Sequence, residues 1–185
     1  MISLIKKFFL HSKDLNSEKS SFKKLKKKKS ILLIFSAIEN YSESSEIRYV
    51  GGCIRKILNN ENVDDIDFAV NLKPNECIEA LKKNNIKYYE TGIDHGTLTA
   101  IIENDKFEIT SLRNDLISDG RHAKVSFSRD WHVDASRRDF TINSIYSDID
   151  GNLYDPFNGK KDLKIGKIEF IGDIEKRIIE DYLRI

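Results

Sequence analysis

Two aspartates one residue apart, Asp65 and Asp67, are the side chains of this sequence most suited to chemistry. The segment 65–70 has the composition of a β-strand, in which alternate side chains point to the same face. The two Cα atoms would lie about 6–7 Å apart, so both carboxylates could bind a divalent cation. Cations about 3.5–4 Å apart can stabilise the attacking and leaving oxygens of a phosphoryl transfer. The alternative is a surface strand with solvated acids.

A glycine pair precedes the aspartates. Gly51 and Gly52 follow an expected strand, 46–50, and open an expected helix. Glycine lets a phosphate approach the backbone closely and meet free N–H groups at the helix N-terminus. Arg55, one turn later, can add a charge-assisted hydrogen bond to a triphosphate. The glycines alone could form a simple tight turn, but their combination with Arg55 and the aspartates favours a nucleotide site.

A third carboxylate, Glu108, lies on another expected strand, where Phe107 and Ile109 point the opposite way. If this strand pairs beside the segment 65–70, Glu108 joins the two aspartates and completes the acids of a two-metal site. The alternative is an exposed strand residue without a role.

The composition is that of a folded chain. Its 185 residues, with 39% hydrophobic side chains and ten phenylalanines, suffice for one domain, or one domain with an added arm. The net charge of +1 conceals a basic segment, 1–30, with a lysine-rich run at 23–29. Such a run is typical of a solvated tail, and it could also attract RNA phosphates without sequence preference.

Two cysteines, Cys53 and Cys77, lack the spacing of a zinc site, which favours a reducing compartment and no structural zinc. No apolar run approaches the ~20 residues that span a bilayer, and the first residues lack the features of a secretory leader. We therefore expect no membrane partner and a cytoplasmic location. Organellar targeting by the basic N-terminus is the weaker alternative.

The patterning predicts three segments. Residues 1–29 form a basic, poorly ordered or loosely helical arm, residues 30–172 form the main domain, and residues 173–185 begin a further helix. Within the main domain we expect a helix near 30–41, helices after Gly52 and Pro74, and strands over 46–50, 65–70, 87–90, 97–102, 106–112, 144–149 and 152–154, with helical character at 138–143. The predicted fold class is α+β, a mixed sheet with flanking helices.

Several short motifs occur in a fixed order. They are Val50-Gly51-Gly52-x-x-Arg55, Asp65-x-Asp67, Phe107-Glu108-Ile109-Thr110-x-Leu112-Arg113, Asp119-Gly120-Arg121-His122-Ala123, Arg137-Arg138-Asp139-Phe140-Thr141-Ile142-Asn143 and Asp155-x-Phe157-Asn158-Gly159. This set resembles the class II tRNA nucleotidyltransferases, or CCA-adding enzymes, which share a head domain with bacterial poly(A) polymerases in the polymerase-β-like superfamily. The resemblance covers the chain from about Arg48 to its C-terminus.

The resemblance implies roles for individual residues. Asp65 and Asp67 would bind Mg²⁺, with Glu108 as the third catalytic acid. The nucleotide-binding residues that it implies are Gly51, Gly52, Arg55, Arg138, Asp139, Asn143, Asp181 and Arg184. Arg138 and Asp139 match the motif associated with ribose recognition, although Arg137-Arg138-Asp139 could also be a salt-bridged helix start.

The segment Glu180-Asp181-Tyr182-Leu183-Arg184 matches the family's base-reading motif. Cytosine and adenine both present an amino donor beside a ring-nitrogen acceptor, which complements a carboxylate and a guanidinium. Uracil and guanine would leave buried polar groups unpaired. Without the resemblance, Asp181 and Arg184 are an ordinary helical ion pair.

The resemblance implies a template-independent nucleotidyltransferase that adds C, C and A from CTP and ATP to tRNA 3′ ends. The alternatives are a poly(A) polymerase acting on RNA 3′ ends, and an inactive or partner-dependent head. Lys56 departs from the family, where many relatives have Asp. The sequence also ends inside the base-reading helix, so we expect the helical neck, body and tail to lie on a separate chain or to have been removed.

Overall fold

The computed structural model of the protein describes residues 18–117 and 124–180. The helices are α1 (18–26), α2 (Lys29–Glu39), α3 (Gly52–Leu58), α4 (Pro74–Lys83), α5 (Trp131–Ser136), α6 (Gly159–Ile165) and α7 (Ile174–Glu180). The strands are β1 (Ile47–Val50), β2 (Asp67–Val70), β3 (Lys87–Gly92), β4 (Thr97–Ile102), β5 (Asp105–Ser111), β6 (Arg113–Ile117), β7 (Lys124–Phe127), β8 (Tyr146–Ser147) and β9 (Leu153–Tyr154). Single 3₁₀ turns lie at Ile93–His95 and Thr141–Asn143.

Seven of these strands form one mixed sheet in the order β3-β4-β5-β2-β1-β8-β9. The strands β2 and β5 pair in parallel, and every other neighbouring pair in this sheet is antiparallel. The strands β6 and β7 form a separate two-stranded hairpin. The predicted α+β fold class, a mixed sheet with flanking helices, is confirmed.

The larger hydrophobic core lies on the face of the sheet that α2, α3 and α4 cover. Tyr49, Phe68 and Phe107 cross the sheet as neighbours, with Phe35 of α2 packed edge-on against Phe68 at a centroid distance of 5.5 Å. Such aromatic pairs add about 0.5–1.5 kcal/mol each beyond the burial of their area. The core therefore fixes the positions of β1, β2 and β5.

The opposite face of the sheet is covered over only part of its width. A smaller apolar cluster of Val50, Ala69, Trp131, Tyr146 and their neighbours packs beneath α5, over β1, β2 and β8. Over β3, β4 and β5 the side chains of this face are exposed or half-buried. One face of the sheet is thus closed at the β8 side and open at the β3 side.

The basic segment at the N-terminus differs from the prediction. Residues 18–26 form α1, in which Phe22 and Leu25 are buried in the larger core. Phe22 packs against Tyr49 at a centroid distance of 5.9 Å, and a Cβ added to Gly151 would approach its ring to 2.7 Å. Where the sequence predicts a poorly ordered or loosely helical arm, residues 18–26 are a helix that two apolar residues among the lysines anchor to the core.

Other boundaries shift by smaller amounts. Ile31, Ile34 and Ile38 are fully buried, as the helical spacing of α2 predicts. The strand predicted over 65–70 begins only at Asp67, so Asp65 lies in the preceding loop. The predicted helical character at 138–143 is a 3₁₀ turn at Thr141–Asn143 that follows α5.

Gly159 holds this turn in place. A Cβ at Gly159 would lie 2.1 Å from the Thr141 carbonyl oxygen, so only glycine permits the approach of α6 to the turn. Asp155 accepts hydrogen bonds from the backbone N–H groups of Gly159 and Lys160 at 2.7 and 2.9 Å. The motif at 155–159 is therefore explained by backbone packing behind Asn143.

Among the helices that the structure describes, none combines the length and the apolar composition that a membrane crossing requires.

Replacement of Phe22 by alanine tests the anchoring of α1. Phe22→Ala removes a side chain that is 2% exposed, and we expect it to lower the free energy of unfolding by about 3 kcal/mol. Urea-induced unfolding measures the change. The neighbouring exposed residue gives the control, since Lys23→Ala should shift the stability by less than about 0.5 kcal/mol. Equal effects of the two substitutions would contradict the packing of α1.

Candidate active site

The site begins with the parallel pairing of β2 and β5. The register places Asp67 directly beside Glu108, and neighbouring strands lie about 4.8 Å apart. Residues paired in register project to the same face, so both carboxylates belong to the partly open face of the sheet. The predicted juxtaposition of these two acids is present in the structure.

Asp65 reaches the same position by a different route from the one expected. It lies in the loop before β2 and is exposed, so strand alternation does not orient it. It nevertheless lines a cleft of about 410 Å³ together with Glu108. Loop geometry, which the sequence pattern did not contain, brings the carboxylate of Asp65 to the site.

The electrostatics of Asp67 reflect this crowding. Burial, followed by the negative charges of Asp65 and Glu108, raises the pKa of Asp67 to about 6. Arg138 opposes the shift, because its positive charge favours the ionised carboxylate. Asp67 is therefore a half-buried acid with no direct ion pair to any residue of 18–117 or 124–180, in an environment that favours the binding of a cation.

The carboxylates border a common space but do not form a preformed metal site. Within residues 18–117 and 124–180, no group of three or more His, Cys, Asp or Glu side chains is close enough to hold a metal ion. Mg²⁺ is usually held by one or two carboxylates, with substrate phosphates and water as further ligands. The hard oxygen donors of Asp65 and Asp67 fit such an open site, and they do not fit a dedicated protein cage.

The glycine pair lies next to Asp67 on its other side. Val50, the last residue of β1, pairs with Asp67, and Gly51 follows it at φ +75°. A Cβ added to Gly51 would lie 3.7 Å from Oδ2 of Asp67. The α3 helix begins at Gly52, so its first N–H groups open next to the acid.

Arg138 is held by a carboxylate that the sequence analysis did not single out. Its guanidinium donates to Asp134 Oδ2 at 3.1 and 3.2 Å and to the Tyr146 hydroxyl at 2.9 Å. The Tyr146 hydroxyl in turn donates to Asp134 Oδ2 at 2.7 Å, and Arg137 donates to the Oδ1 atom at 2.7 and 2.9 Å. Asp134 is thus the common acceptor of two arginines and a tyrosine.

Asp134 is 1% exposed, yet it stays ionised. Burial alone would raise its pKa, but the guanidinium groups of Arg138 and Arg137 hold the pKa below its ordinary value. The sequence contains one signal for these ion pairs, because Asp134 lies three and four residues before Arg137 and Arg138, the spacing of helical ion pairs.

The remaining predicted residues form a second chain of contacts. Arg55 donates a hydrogen bond to the Asn143 side-chain oxygen, and the Asn143 amide donates to Asp139 Oδ1 at 2.8 Å. Arg138 also donates to the Asn143 carbonyl oxygen at 3.3 Å. The structure therefore gathers Arg55, Arg138, Asp139 and Asn143 on the β8 side of Asp67.

Asp181 and Arg184, predicted to read the base, lie outside the described residues, as does the segment 119–123 with Arg121 and His122.

The sequence of residues 47–169 matches the family described as the Poly A polymerase head domain. The human mitochondrial CCA tRNA nucleotidyltransferase 1 is 47% identical over 144 residues, which are 77% of this chain and 33% of that protein. The chain thus spans about a third of this relative's length.

Solved structures agree with the sequence match. The Bacillus stearothermophilus CCA-adding enzyme in complex with CTP superposes with a TM-score of 0.71 at 29% identity, over 82% of this chain and 35% of that one. A tRNA nucleotidyltransferase complexed with a primer tRNA and an incoming ATP analog gives a TM-score of 0.63 at 26% identity, over 82% and 42% of the two chains. The chain therefore belongs to the Poly A polymerase head-domain family and carries the head domain found in class II CCA-adding enzymes.

Proposed function

We propose that this chain is the catalytic head of an RNA nucleotidyltransferase that adds C and A from CTP and ATP to tRNA 3′ ends without a template. The observation that carries the proposal is the pairing of Asp67 with Glu108, between an open cleft on one side and the glycine turn with its arginines on the other. The relatives named above, a human CCA tRNA nucleotidyltransferase and a CCA-adding enzyme in complex with CTP, support the choice of CCA addition over poly(A) addition.

The residues around Asp67 divide the work. Arg55 supplies positive charge for the nucleotide's phosphates, Arg138 and Asp139 contact its ribose, and the Gly51–Gly52 turn lets a phosphate approach the backbone. Asp67 and Glu108 stand where the RNA 3′-hydroxyl must meet the α-phosphate. The 3′-hydroxyl attacks, the bond to pyrophosphate breaks, and the proton of the hydroxyl leaves to a nearby base or water. Phosphoryl transfer of this kind needs positioning and charge neutralisation, and it needs no protein nucleophile.

Mg²⁺ is the proposed cofactor, with Asp65 and Asp67 as its protein ligands. When bound, it would neutralise phosphate charge and favour ionisation of the 3′-hydroxyl. The raised pKa of Asp67 supports this assignment, because a cation beside it relieves the repulsion among the acids.

The proposed partners are the tRNA 3′ end, CTP and ATP. The choice between nucleotides is assigned to Asp181 and Arg184, which remain a prediction from the sequence motif. We further propose that segments equivalent to the rest of the relatives orient the tRNA.

Nucleotide incorporation tests the proposed function directly. With Mg²⁺ and a tRNA that lacks its CCA end, the chain should incorporate label from CTP and then from ATP, and should reject UTP and GTP by a factor of about 100 or more because buried polar groups would stay unpaired. Denaturing gels resolve each added nucleotide. Tailing from ATP alone would indicate a poly(A) polymerase and contradict the proposal, and no incorporation at saturating RNA would overturn it.

The substitution Asp67→Asn separates stability from activity. The pKa of Asp67, about 6 in the fold against about 3.9 in an unfolded chain, means that the fold loses stability as the pH rises from about 4 to about 6 and keeps that loss at higher pH. The Asn variant should therefore unfold with a free energy about 1–2 kcal/mol higher at pH 8 without metal, after allowance for solvent screening, and the gain should vanish below pH 4. Its incorporation activity should fall at least about 1000-fold.

Urea unfolding at the two pH values, with and without Mg²⁺, gives the measurement. Mg²⁺ should stabilise the wild type and leave Asp67→Asn unchanged. The control is Asp64→Asn, because Asp64 is an exposed acid whose pKa the Lys56 ammonium lowers, and its removal should give no such gain. A stability of Asp67→Asn below that of the wild type at pH 8 would contradict the assignment.

Replacement of Asp134 tests its positioning of Arg138. Asp134→Asn leaves two guanidinium groups without their shared anion and should lower the free energy of unfolding by about 3 kcal/mol. At a temperature where the variant stays folded, KM for CTP should rise more than KM for RNA. Asp115→Asn is the control, since it removes an outer partner of Arg137 at 3.6 Å and leaves Arg138 in place. A uniform loss of kcat with both KM values unchanged would show that Asp134 acts on stability alone.

A further inference from the structure

The face of the sheet that carries Asp67 and Glu108 is open on its β3 side, and the cleft there has no ligand assigned to it by the proposed function. It lies over β3, β4 and β5, has a volume of about 410 Å³, and extends from the acids Asp65 and Glu108 to Tyr89. Ligand pockets of this order hold a small molecule the size of a nucleotide. Tyr89 is 48% exposed and the Lys87 ammonium lies 5.2 Å from its ring centroid, so part of the aromatic surface is accessible to a ligand.

Two rows of side chains cross this cleft. In the first row, strand register aligns Tyr89 with Thr99, Thr99 with Glu108, and Glu108 with Asp67. In the second row, Lys87 aligns with Ile101, and Ile101 with Lys106. The rows lie two residues, about 6–7 Å, apart. The first row thus runs from an aromatic ring to the carboxylates, and the second carries positive charge alongside it.

The direction of approach follows from the other half of the sheet. Val50 and Tyr146 continue the first row beyond Asp67, and the Arg138 guanidinium lies 5.2 Å from the Tyr146 ring centroid. The residues proposed to bind the incoming nucleotide are therefore on the β8 side. Attacking and leaving oxygens lie roughly in line across the transferred phosphorus. If pyrophosphate leaves towards the β8 side, the attacking 3′-hydroxyl must come from the β3 side.

We propose that this cleft binds the 3′-terminal nucleotide of the RNA primer. The terminal base stacks on Tyr89, Lys106 contacts the phosphate that precedes the terminal ribose, and the 3′-hydroxyl faces Glu108 and Asp67. Tyr89 and Glu108 are two strands apart, about 10 Å, a separation that one nucleotide spans between its stacked base and its 3′-oxygen. This inference rests on the proposed function, because it gives the substrate of that reaction a place to bind.

The chemistry of the cleft suits a primer whose last base changes. Addition of C, C and A presents a different 3′ end at each step, so the primer site must accept more than one base. Stacking on an aromatic ring tolerates every base, because each has a π-face. The hydroxyl groups of Thr91 and Thr99 share a hydrogen bond of 2.9 Å in which either can be the donor. They therefore offer no fixed pattern of donors and acceptors for reading the base.

Substitution of Tyr89 tests whether the cleft binds the primer or the incoming nucleotide. Tyr89→Ala should raise KM for RNA about tenfold, the loss expected for one stacking contact, with KM for CTP unchanged. Tyr89→Phe keeps the ring and should behave as the wild type. A rise in KM for CTP instead of RNA would place the incoming nucleotide in the cleft and overturn the proposal, as would unchanged values for Tyr89→Ala.

Salt dependence tests the phosphate contact of Lys106. Lys106→Ala should weaken RNA binding and lower the slope of log K against log salt by about 0.7, the value for one phosphate of a single strand. Lys83→Ala, which removes an exposed lysine on α4, is the matched control and should leave the slope unchanged. An equal slope in wild type and Lys106→Ala would contradict the contact.

Crosslinking gives a readout that does not require catalysis. An RNA oligonucleotide with 4-thiouridine at its 3′ terminus should crosslink within 87–92 or 105–111, as peptide mapping would show, and Tyr89→Ala should lower the yield. Crosslinks confined to other segments, or none, would overturn the primer site. Crosslinks in these strands from a chain that incorporates no nucleotide would keep the primer site and overturn the proposed function.

Discussion

The parallel pairing of β2 with β5 is the constraint on which the candidate site depends. Phe68 pairs with Ile109 in the same register that pairs Asp67 with Glu108, and both apolar residues are buried in the larger core. A slip of one residue would turn either set of side chains to the opposite face. The hydrophobic core therefore fixes the register, and the register brings the two carboxylates together despite their mutual repulsion.

Helix α5 covers only part of the sheet face that carries Asp67, so the two sides of Asp67 have different chemistry. On the β8 side, α5 and the cluster around Trp131 bury Asp134, which in turn fixes Arg138. On the β3 side no helix of the described residues covers the strands, and Asp65 and Glu108 border an open cleft. Fixed positive charge on one side and open space on the other suit a reaction between a small triphosphate and the end of a large polymer.

Much of this arrangement could be predicted from the sequence, and the rest depended on tertiary contacts. Alternation and turn residues predicted the strands that carry Asp67 and Glu108, while their parallel pairing depends on core packing that no local pattern contains. Asp65 was assigned to a strand because it alternates with Asp67, yet the strand begins two residues later, at Asp67. Phe22 was assigned to a loose arm because lysines surround it, although its ring is buried against Tyr49. Asp134 was missed because the sequence shows only its helical spacing from Arg137 and Arg138, while its burial and its hydrogen bond from Tyr146 arise only in the fold.

Asp134 and Asp67 show how the same side chain serves structure in one place and chemistry in another. Arg137, Arg138 and Tyr146 satisfy Asp134 so fully that its pKa is lowered despite burial. Asp67 has the opposite shift, because burial and two neighbouring acids raise its pKa while Arg138 compensates only in part. A buried acid without an ion pair lowers the stability of the fold. Such acids are found at functional sites, where a bound ligand compensates their charge. The contrast between these two pKa shifts, within one stretch of sheet and helix, is therefore the physical reason to assign the support of the site to Asp134 and its chemistry to Asp67.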